Sequence, residues 1–303
     1  MITLQQLNYF RALVKNGHLT RTAEAMHITQ TTLSNTIINL ERQLGLPLFD
    51  RVGRTLQLNE AGKAYYTYVN EALTLLENGR IALSDHVKDG VQSVSVAMTT
   101  SNIWSGLISS FRSHYPDYNI RQLGCDSEQS RNMLMDQELD FVIAGITDFS
   151  LSGLKYQIIR EDTLFLCVPP DHPLAGRESV CLADVKDERF IDLPAGSSFR
   201  VYCDALFRKA GLPHRSALEC DYTLRGQLVE SGFGVAITTA SAMQHGILSD
   251  KNVYIPIADE LARRTIAIIW NPRRYLSRAA LDFKNWVFIY ENGGELEPPA
   301  PTT

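Results

Sequence analysis

The sequence predicts an α plus α/β architecture: three short helices and a hairpin, one long helix, then two α/β lobes. Three observations carry it. Apolar residues recur at helical spacing through residues 4–44, with Asn16-Gly17 and Gly45 placed where helices should stop. A seven-residue apolar repeat runs from Leu58 to Leu83. Beyond Gly90, short β-branched runs alternate with helical segments.

Leu4, Leu7, Phe10, Leu13 and Val14 mark the first helix. Thr20 reads as an N-cap, with Leu19 as the outer half of a hydrophobic staple, and a short helix follows over 21–26. His27-Ile28-Thr29 turns the chain. Thr29 reads as a second N-cap, opening a helix over 30–44 in which Leu33, Ile37, Leu40 and Leu44 face inward. Extended runs on either side of Gly53 read as a hairpin, the wing of a winged helix-turn-helix spanning 1–58. Asn59 caps a long linker helix whose seam is Leu58, Gly62, Tyr65, Val69, Ala72, Leu76, Gly79 and Leu83. The two glycines would admit close approach of a partner. Two readings stand for this stripe: packing on the chain's own larger domain, or pairing with the same helix of a second subunit. Heptad regularity and symmetry favour the second. Residues 59–90 are thus linker and hinge.

In 91–294, strands are predicted over 94–98, 118–123, 140–144, 163–168, 189–193, 216–220, 235–237 and 264–270. Helices are predicted over 103–115, 128–137, 198–210, 223–231 and 277–290. The βαβαβ rhythm points to a mostly parallel sheet, and its recurrence to two lobes with a cleft between them. The Pro-rich tail, 295–303, is expected to be disordered.

Charge divides along the same boundary. Residues 1–58 carry six basic and three acidic side chains, net +3; the remainder carries 23 basic and 31 acidic, net −8. A basic module on an acidic body suits one part meeting phosphate and the other not. No apolar run is long enough to span a membrane, and the amphipathic N-terminus, broken by Arg11 and Lys15, is not an export signal. A cytoplasmic, reduced protein is expected. Its five cysteines (Cys125, Cys167, Cys181, Cys203, Cys220) form no close-spaced pair, and no Cys/His cluster has zinc spacing. No nucleophile elbow, phosphate loop or His-Glu-x-x-His motif occurs, so neither catalysis, metal nor cofactor is expected.

The stretch from His18 to Ser34 (HLTRTAEAMHITQTTLS) resembles the LysR-type transcriptional regulators. So do Ile37, Leu40-Glu41, Leu44-Gly45, Leu48-Phe49, Arg51 and Leu58-Asn59-Glu60-Ala61-Gly62. Residues 113–116, 139–143, 171–174 and 228–234 are similar to runs of that family's effector domain. The resemblance implies a periplasmic-binding-protein-like effector domain and a homodimer or homotetramer. It also implies double-stranded DNA, a small-molecule effector and RNA polymerase as partners. Thr31 and Thr238-Thr239 stand where the family often has proline.

With Leu33, Ile37 and Leu40 inward, Gln30, Thr31, Thr32, Ser34 and Asn35 project near the start of a recognition helix, whose N-terminal residues read the major groove. Gln and Asn pair bidentately with adenine, and the Thr methyl suits thymine. Thr20 and Thr29 are either simple N-caps or caps that also meet DNA. Arg51 and Arg54 flank the wing turn; they either reach DNA or form surface ion pairs with Asp50 or Glu41. Glu41 reads as structural.

Ligands of α/β sheets bind beyond the carboxyl ends of strands. Thr99, Thr100 and Ser101 follow the first strand, Thr147 and Asp148 the third, and Ser197 and Ser198 a later one, with Arg200 one turn on. These are candidate contacts to an anionic metabolite between the lobes, or plain helix caps. Cys203, near Arg200 and Arg208, offers an alternative, redox reading. A transport solute-binding protein would share the two-lobed half but has no use for residues 1–58.

Overall fold

A computed structural model describes residues 1–52, 55–85, 92–98, 101–244 and 249–293. The chain separates into two compact units, Met1–Leu83 and Ser84–Thr303. The predicted wing turn at Gly53, the end of the hinge and the Pro-rich tail fall outside the described residues.

The first unit holds α1 (Leu4–Asn16), α2 (Leu19–Ala25), α3 (Gln30–Leu44), the hairpin strands β1 (Phe49–Val52) and β2 (Thr55–Leu58), and α4 (Glu60–Ser84), whose last residue passes into the second. Its core is Phe10, Leu13, Ala23, Leu33, Ile37, Leu40 and Leu48, closed over by Val69 and Leu73 of α4. Gly17 and Gly45 end α1 and α3 in the left-handed region, at φ +69° and +76°, where side chains are strained. Glu41 confirms its structural reading: Oε1 accepts the Leu48 and Phe49 amides at 2.7 and 3.2 Å, tying the hairpin to α3. Asn59 caps α4, its Oδ1 accepting the Gly62 amide at 2.8 Å.

Two expectations need correction. Thr20 is not an N-cap: α2 begins at Leu19 after His18, so Thr20 lies inside the helix. Gly62 does admit a close approach, but of the chain's own Leu48 carbonyl and Leu58 side chain. The seam divides accordingly. Gly62, Tyr65 and Val69 pack into the first unit's core, whereas Ala72, Leu76, Gly79 and Leu83 are exposed.

The second unit has two lobes. In the first lobe β3 (Ser93–Met98), β4 (Asn119–Leu123) and β5 (Phe141–Gly145) run parallel, joined by α5 (Ser105–His114) and α6 (Ser127–Met135). The chain then crosses on one long strand, β6 (Lys155–Val168). The second lobe contains β7 (Phe190–Asp192), α7 (Ser198–Lys209), β8 (Ser216–Glu219), α8 (Tyr222–Glu230), β9 (Ala236–Thr239), α9 (Ala240–Gln244) and β10 (Val253–Pro256). The return strand β11 (Arg263–Trp270) leads to α10 (Arg278–Glu291) back on the first lobe. The sheet is mixed rather than mostly parallel: β11 is antiparallel to β5 and β6, and β9 and β10 are antiparallel to β6. The reason is topological. Only strands joined by a helical crossover must run parallel, and the two interlobe strands pass directly from lobe to lobe. Each lobe buries a core on both sheet faces, α7 covering one face of the second lobe and α8 the other.

Candidate nucleic-acid interface and ligand cleft

At the start of α3 local chemistry fixes the presentation. Thr29 is its N-cap as expected, Oγ1 accepting the Thr32 amide at 3.1 Å and sharing a 2.8 Å hydrogen bond with the Thr32 hydroxyl. The Thr20 hydroxyl donates to Gln30 Oε1 at 3.2 Å, which orients the Gln30 amide and joins α2 to α3. Leu33, Ile37 and Leu40 are buried on the inner face. Gln30, Thr31, Thr32 and Asn35 are exposed on the outer one, with Ser34 half-buried between them. The unit thus holds a rigid polar edge whose amide and hydroxyl groups match base-edge donors and acceptors. The side chain of Arg51 and all of Arg54 lie outside the described residues.

In the second unit the carboxyl ends of β5 and β7 face one region. Thr147 sits in the helical turn Ile146–Asp148 after β5, and α7 packs against that turn. Ser198 is buried, and its Oγ accepts from Arg264 Nη2 at 2.5 Å. Ser197 is the N-cap of α7, but its side chain makes no capping bond and its buried Oγ lacks a partner. Thr99, Thr100 and the side chain of Ser101 lie outside the described residues.

Arg200 is placed differently from the expectation that it assists a ligand. Its Nε donates to both Asp204 oxygens at 2.9 and 3.0 Å and its Nη1 to Glu219 at 3.0 Å, with Asp192 at 3.6 Å. His214 completes this cluster, 2.7 Å from Asp204 and 3.3 Å from Asp192, stacked on Phe207 with ring centroids 4.6 Å apart. Burial alone would lower the His214 pKa; the hydrogen bonds and charges of Asp192 and Asp204 outweigh it and raise it. Burial likewise opposes ionisation of Asp192, yet His214, Ser216 and Arg200 hold its pKa below the ordinary carboxylate value. The Arg200 donors are therefore spent on binding α7 to β7 and β8. Cys203 is buried in the second-lobe core, away from the solvent a redox sensor needs.

Sequence reasoning missed Arg225 and Arg264, buried arginines whose guanidinium carbons lie 5.9 and 5.3 Å from the Phe199 ring. Arg264 had a readable signal: it alternates with Ile266 and Ile268 on the inward face of β11. Arg225 had none, since an arginine within a short helix reads as solvated. Among the described residues no cluster of His, Cys, Asp or Glu could hold a metal ion, and no helix is long and apolar enough to cross a membrane.

A helix-turn-helix unit with a polar recognition edge, carried on the same chain as a two-lobed α/β unit, defines a ligand-responsive DNA-binding regulator. The family model for the bacterial regulatory helix-turn-helix protein, lysR family, matches residues 4–63, and that for the LysR substrate binding domain matches 88–288. The chain belongs to the LysR family of transcriptional regulators, and is not an enzyme. It is 32% identical over 291 residues to an uncharacterized HTH-type transcriptional regulator, YybE, of Bacillus subtilis, covering 94% of this chain and 98% of the relative. It is 30% identical to a probable RuBisCO transcriptional regulator of Cyanidioschyzon merolae, covering 93% of this chain and 96% of that one. Among solved structures, a cysteine-to-aspartate variant of full-length OxyR from Pseudomonas aeruginosa superposes with a TM-score of 0.71 at 22% identity, covering 95% of this chain and 98% of that one. Full-length CbnR complexed with its target DNA gives 0.60 at 21% identity, covering 94% and 99%.

Proposed function

We propose that this chain is a cytoplasmic, sequence-specific DNA-binding regulator controlled by a small anionic metabolite held between the lobes of its second unit. The observation that carries the DNA half is the outer edge of α3: Gln30, Thr31, Thr32 and Asn35 exposed in a row opposite a fully packed inner face. Thr20, Thr29 and Ser34 support that edge, and Arg51 and Arg54 of the hairpin supply phosphate contacts. Each bidentate contact contributes roughly 1–3 kcal/mol of discrimination. Two copies pair through the exposed half of the α4 seam, where Leu76 and Leu83 are 56% and 69% exposed, and so present two recognition helices to a pseudo-palindromic site. Such dimers associate further into tetramers, and RNA polymerase is the partner at the promoter.

The effector half rests on Thr147, Ser197 and Ser198, which follow the carboxyl ends of β5 and β7 on the turn and the helix that pack together, with Thr99, Thr100 and Ser101, next in sequence after β3, contributing and Arg200 bracing α7. Binding closes the lobes and re-angles the subunits through α4. Genome-wide footprinting of the purified protein, followed by anisotropy titrations on the recovered site with Gln30→Ala and Asn35→Ala, tests the DNA half. Both variants should lose sequence preference over random duplex while keeping salt-sensitive background binding. Titration calorimetry of candidate metabolites against Ser198→Ala tests the other half; unchanged affinity removes Ser198 from the site.

A further inference from the structure

Arg225 is 2% exposed, yet its Nε and Nη2 have no hydrogen-bond partner and no ion pair joins it to a carboxylate among the described residues. A buried, uncompensated cation is strongly unfavourable. Its neighbours are aromatic: the guanidinium carbon stands 4.8 Å over the Tyr222 ring and 5.9 Å from the Phe199 ring. Of the lobe's other buried polar atoms without a partner (on Asp192, Ser197, His214, Thr238 and Asn252), two are hydroxyls, Thr238 Oγ1 and Ser197 Oγ, and the topology sets both at the end where α8 opens. Strand β7 is parallel to β8 and, through the Phe190–Val235 bridge, to the run entering β9, so the carboxyl ends of all three share one edge. From that edge α7 opens after β7, and α8 after β8. Val229 of α8 and Ala236 of β9 pack in one cluster. One helical turn back from Val229 is Arg225, and two residues on from Ala236 is Thr238; both steps lead toward the shared edge. Thr238 is wholly buried and its Oγ1 has no partner. Ser197, whose buried Oγ also lacks one, stands two residues before Phe199.

We propose that Arg225, Thr238 and Ser197 form a receptor for a carboxylate. The Nε–Nη2 fork of Arg225 donates side-on to its two oxygens, the two hydroxyls donate to the remaining lone pairs, and Phe199 and Tyr222 pack against the ligand's body. A planar carboxylate matches that fork in spacing and in its single charge. The assignment deepens the effector reading above: it depends on that reading for the ligand's regulatory role, not for the existence of the site.

The test uses the full chain, with acetate, phenylacetate and inorganic phosphate as probes in thermal unfolding and calorimetry. Both carboxylates should raise the unfolding temperature of the wild type, phenylacetate more, and phosphate should not. Arg225→Met should abolish the shift and weaken phenylacetate by roughly 10- to 100-fold, the loss of one charge-assisted pair. Thr238→Val should weaken it less. Without ligand, Arg225→Met should unfold at a higher temperature than the wild type, because it removes a buried charge that no carboxylate offsets; a structural arginine would give the opposite sign. Should that variant not fold, Arg225→Lys keeps the charge, loses the fork and should lose phenylacetate binding. A destabilised, ligand-free Arg225→Met overturns the proposal, as does phenylacetate binding retained in Arg225→Lys. So does the absence of any carboxylate shift in the wild type, or a shift with phosphate alone. Phenylacetate binding that depends on Arg225 but leaves DNA affinity unchanged supports the receptor while removing its role as the effector site.

Discussion

The same substitution, Gly to Ala, should have opposite effects at two seam positions of α4. At Gly62 an added methyl would run into the Leu48 carbonyl oxygen and the Leu58 side chain. Leu58 can turn aside, but the Leu48 peptide is pinned from both ends. Its N–H donates to Glu41 at 2.7 Å, and its carbonyl accepts the Asn59 amide at 3.0 Å. Alanine improves helix propensity by about 1 kcal/mol over glycine. Overpacking costs about 1–3 kcal/mol, and displacing the Asn59 bond about 1 kcal/mol more. The clash wins, and Gly62→Ala should lose about 1–3 kcal/mol, several degrees of unfolding temperature for the DNA-binding unit. At Gly79 nothing lies within 4 Å, so Gly79→Ala should stabilise the isolated chain by roughly 0.5–1 kcal/mol. If a second copy's helix lies against Gly79, the methyl meets it, and the dimer's dissociation constant, followed by sedimentation, should rise at least tenfold on Gly79→Ala, roughly 1.4 kcal/mol of weakened association. Calorimetric unfolding of both variants at fixed protein concentration is the assay. A neutral or stabilising Gly62→Ala refutes the packing argument, and a tighter Gly79→Ala dimer refutes the seam.

Other perturbations act on single named contacts. Thr29→Ala removes the cap of α3 and should cost about 1 kcal/mol of stability, read by denaturant midpoint, together with a larger loss of specific DNA affinity. Glu41→Ala leaves the Leu48 and Phe49 amides without their acceptor and should cost roughly 1–3 kcal/mol, loosening the wing, which proteolysis of the hairpin would report. Arg51→Ala should lower the salt slope of DNA binding by about one phosphate equivalent, with little change in sequence preference. His214, whose pKa is raised by Asp192 and Asp204, contributes stability that is fully present below its ordinary value of 6.5 and fades as pH rises through the raised folded value. Asp192, held low, contributes stability present above its ordinary 3.8 and lost as pH falls through the depressed one. The wild type's unfolding-temperature advantage over His214→Asn should therefore be largest between these limits and shrink above pH 6.5; an advantage that grows above pH 6.5 contradicts the assignment.

The first unit was legible because its information is local. Recognition helix α3 is found where Thr29, the inward leucines and Gly45 place it, and the hairpin where Gly53 divides two extended runs. The failures there were competitions between local and tertiary partners. Thr20 has the residue type of a cap, but the chain turns one residue earlier, and its hydroxyl goes to Gln30 instead. Gly62 carries the mark of a close approach without saying to what, and heptad spacing cannot tell a partner helix from the hairpin strand of the same molecule.

In the second unit, period and burial parted company. The exposed first half of β6 carries no alternation, so only its apolar end, 163–168, read as a strand. Arg200 and Arg225 show the sharper limit. Both are arginines within the first turns of helices that open at one edge of the second lobe, and nothing in their flanking residues separates them. Arg200 meets Asp192, Asp204 and Glu219, which come from three segments of the chain, while Arg225 meets the faces of Phe199 and Tyr222. A DNA-reading edge must be exposed, and exposure leaves a periodic trace along the helix. A ligand receptor must withhold its donors from both water and internal acids, and that is a property of which distant residues fail to arrive. An arginine of the second kind is found by asking which charge the fold leaves unanswered.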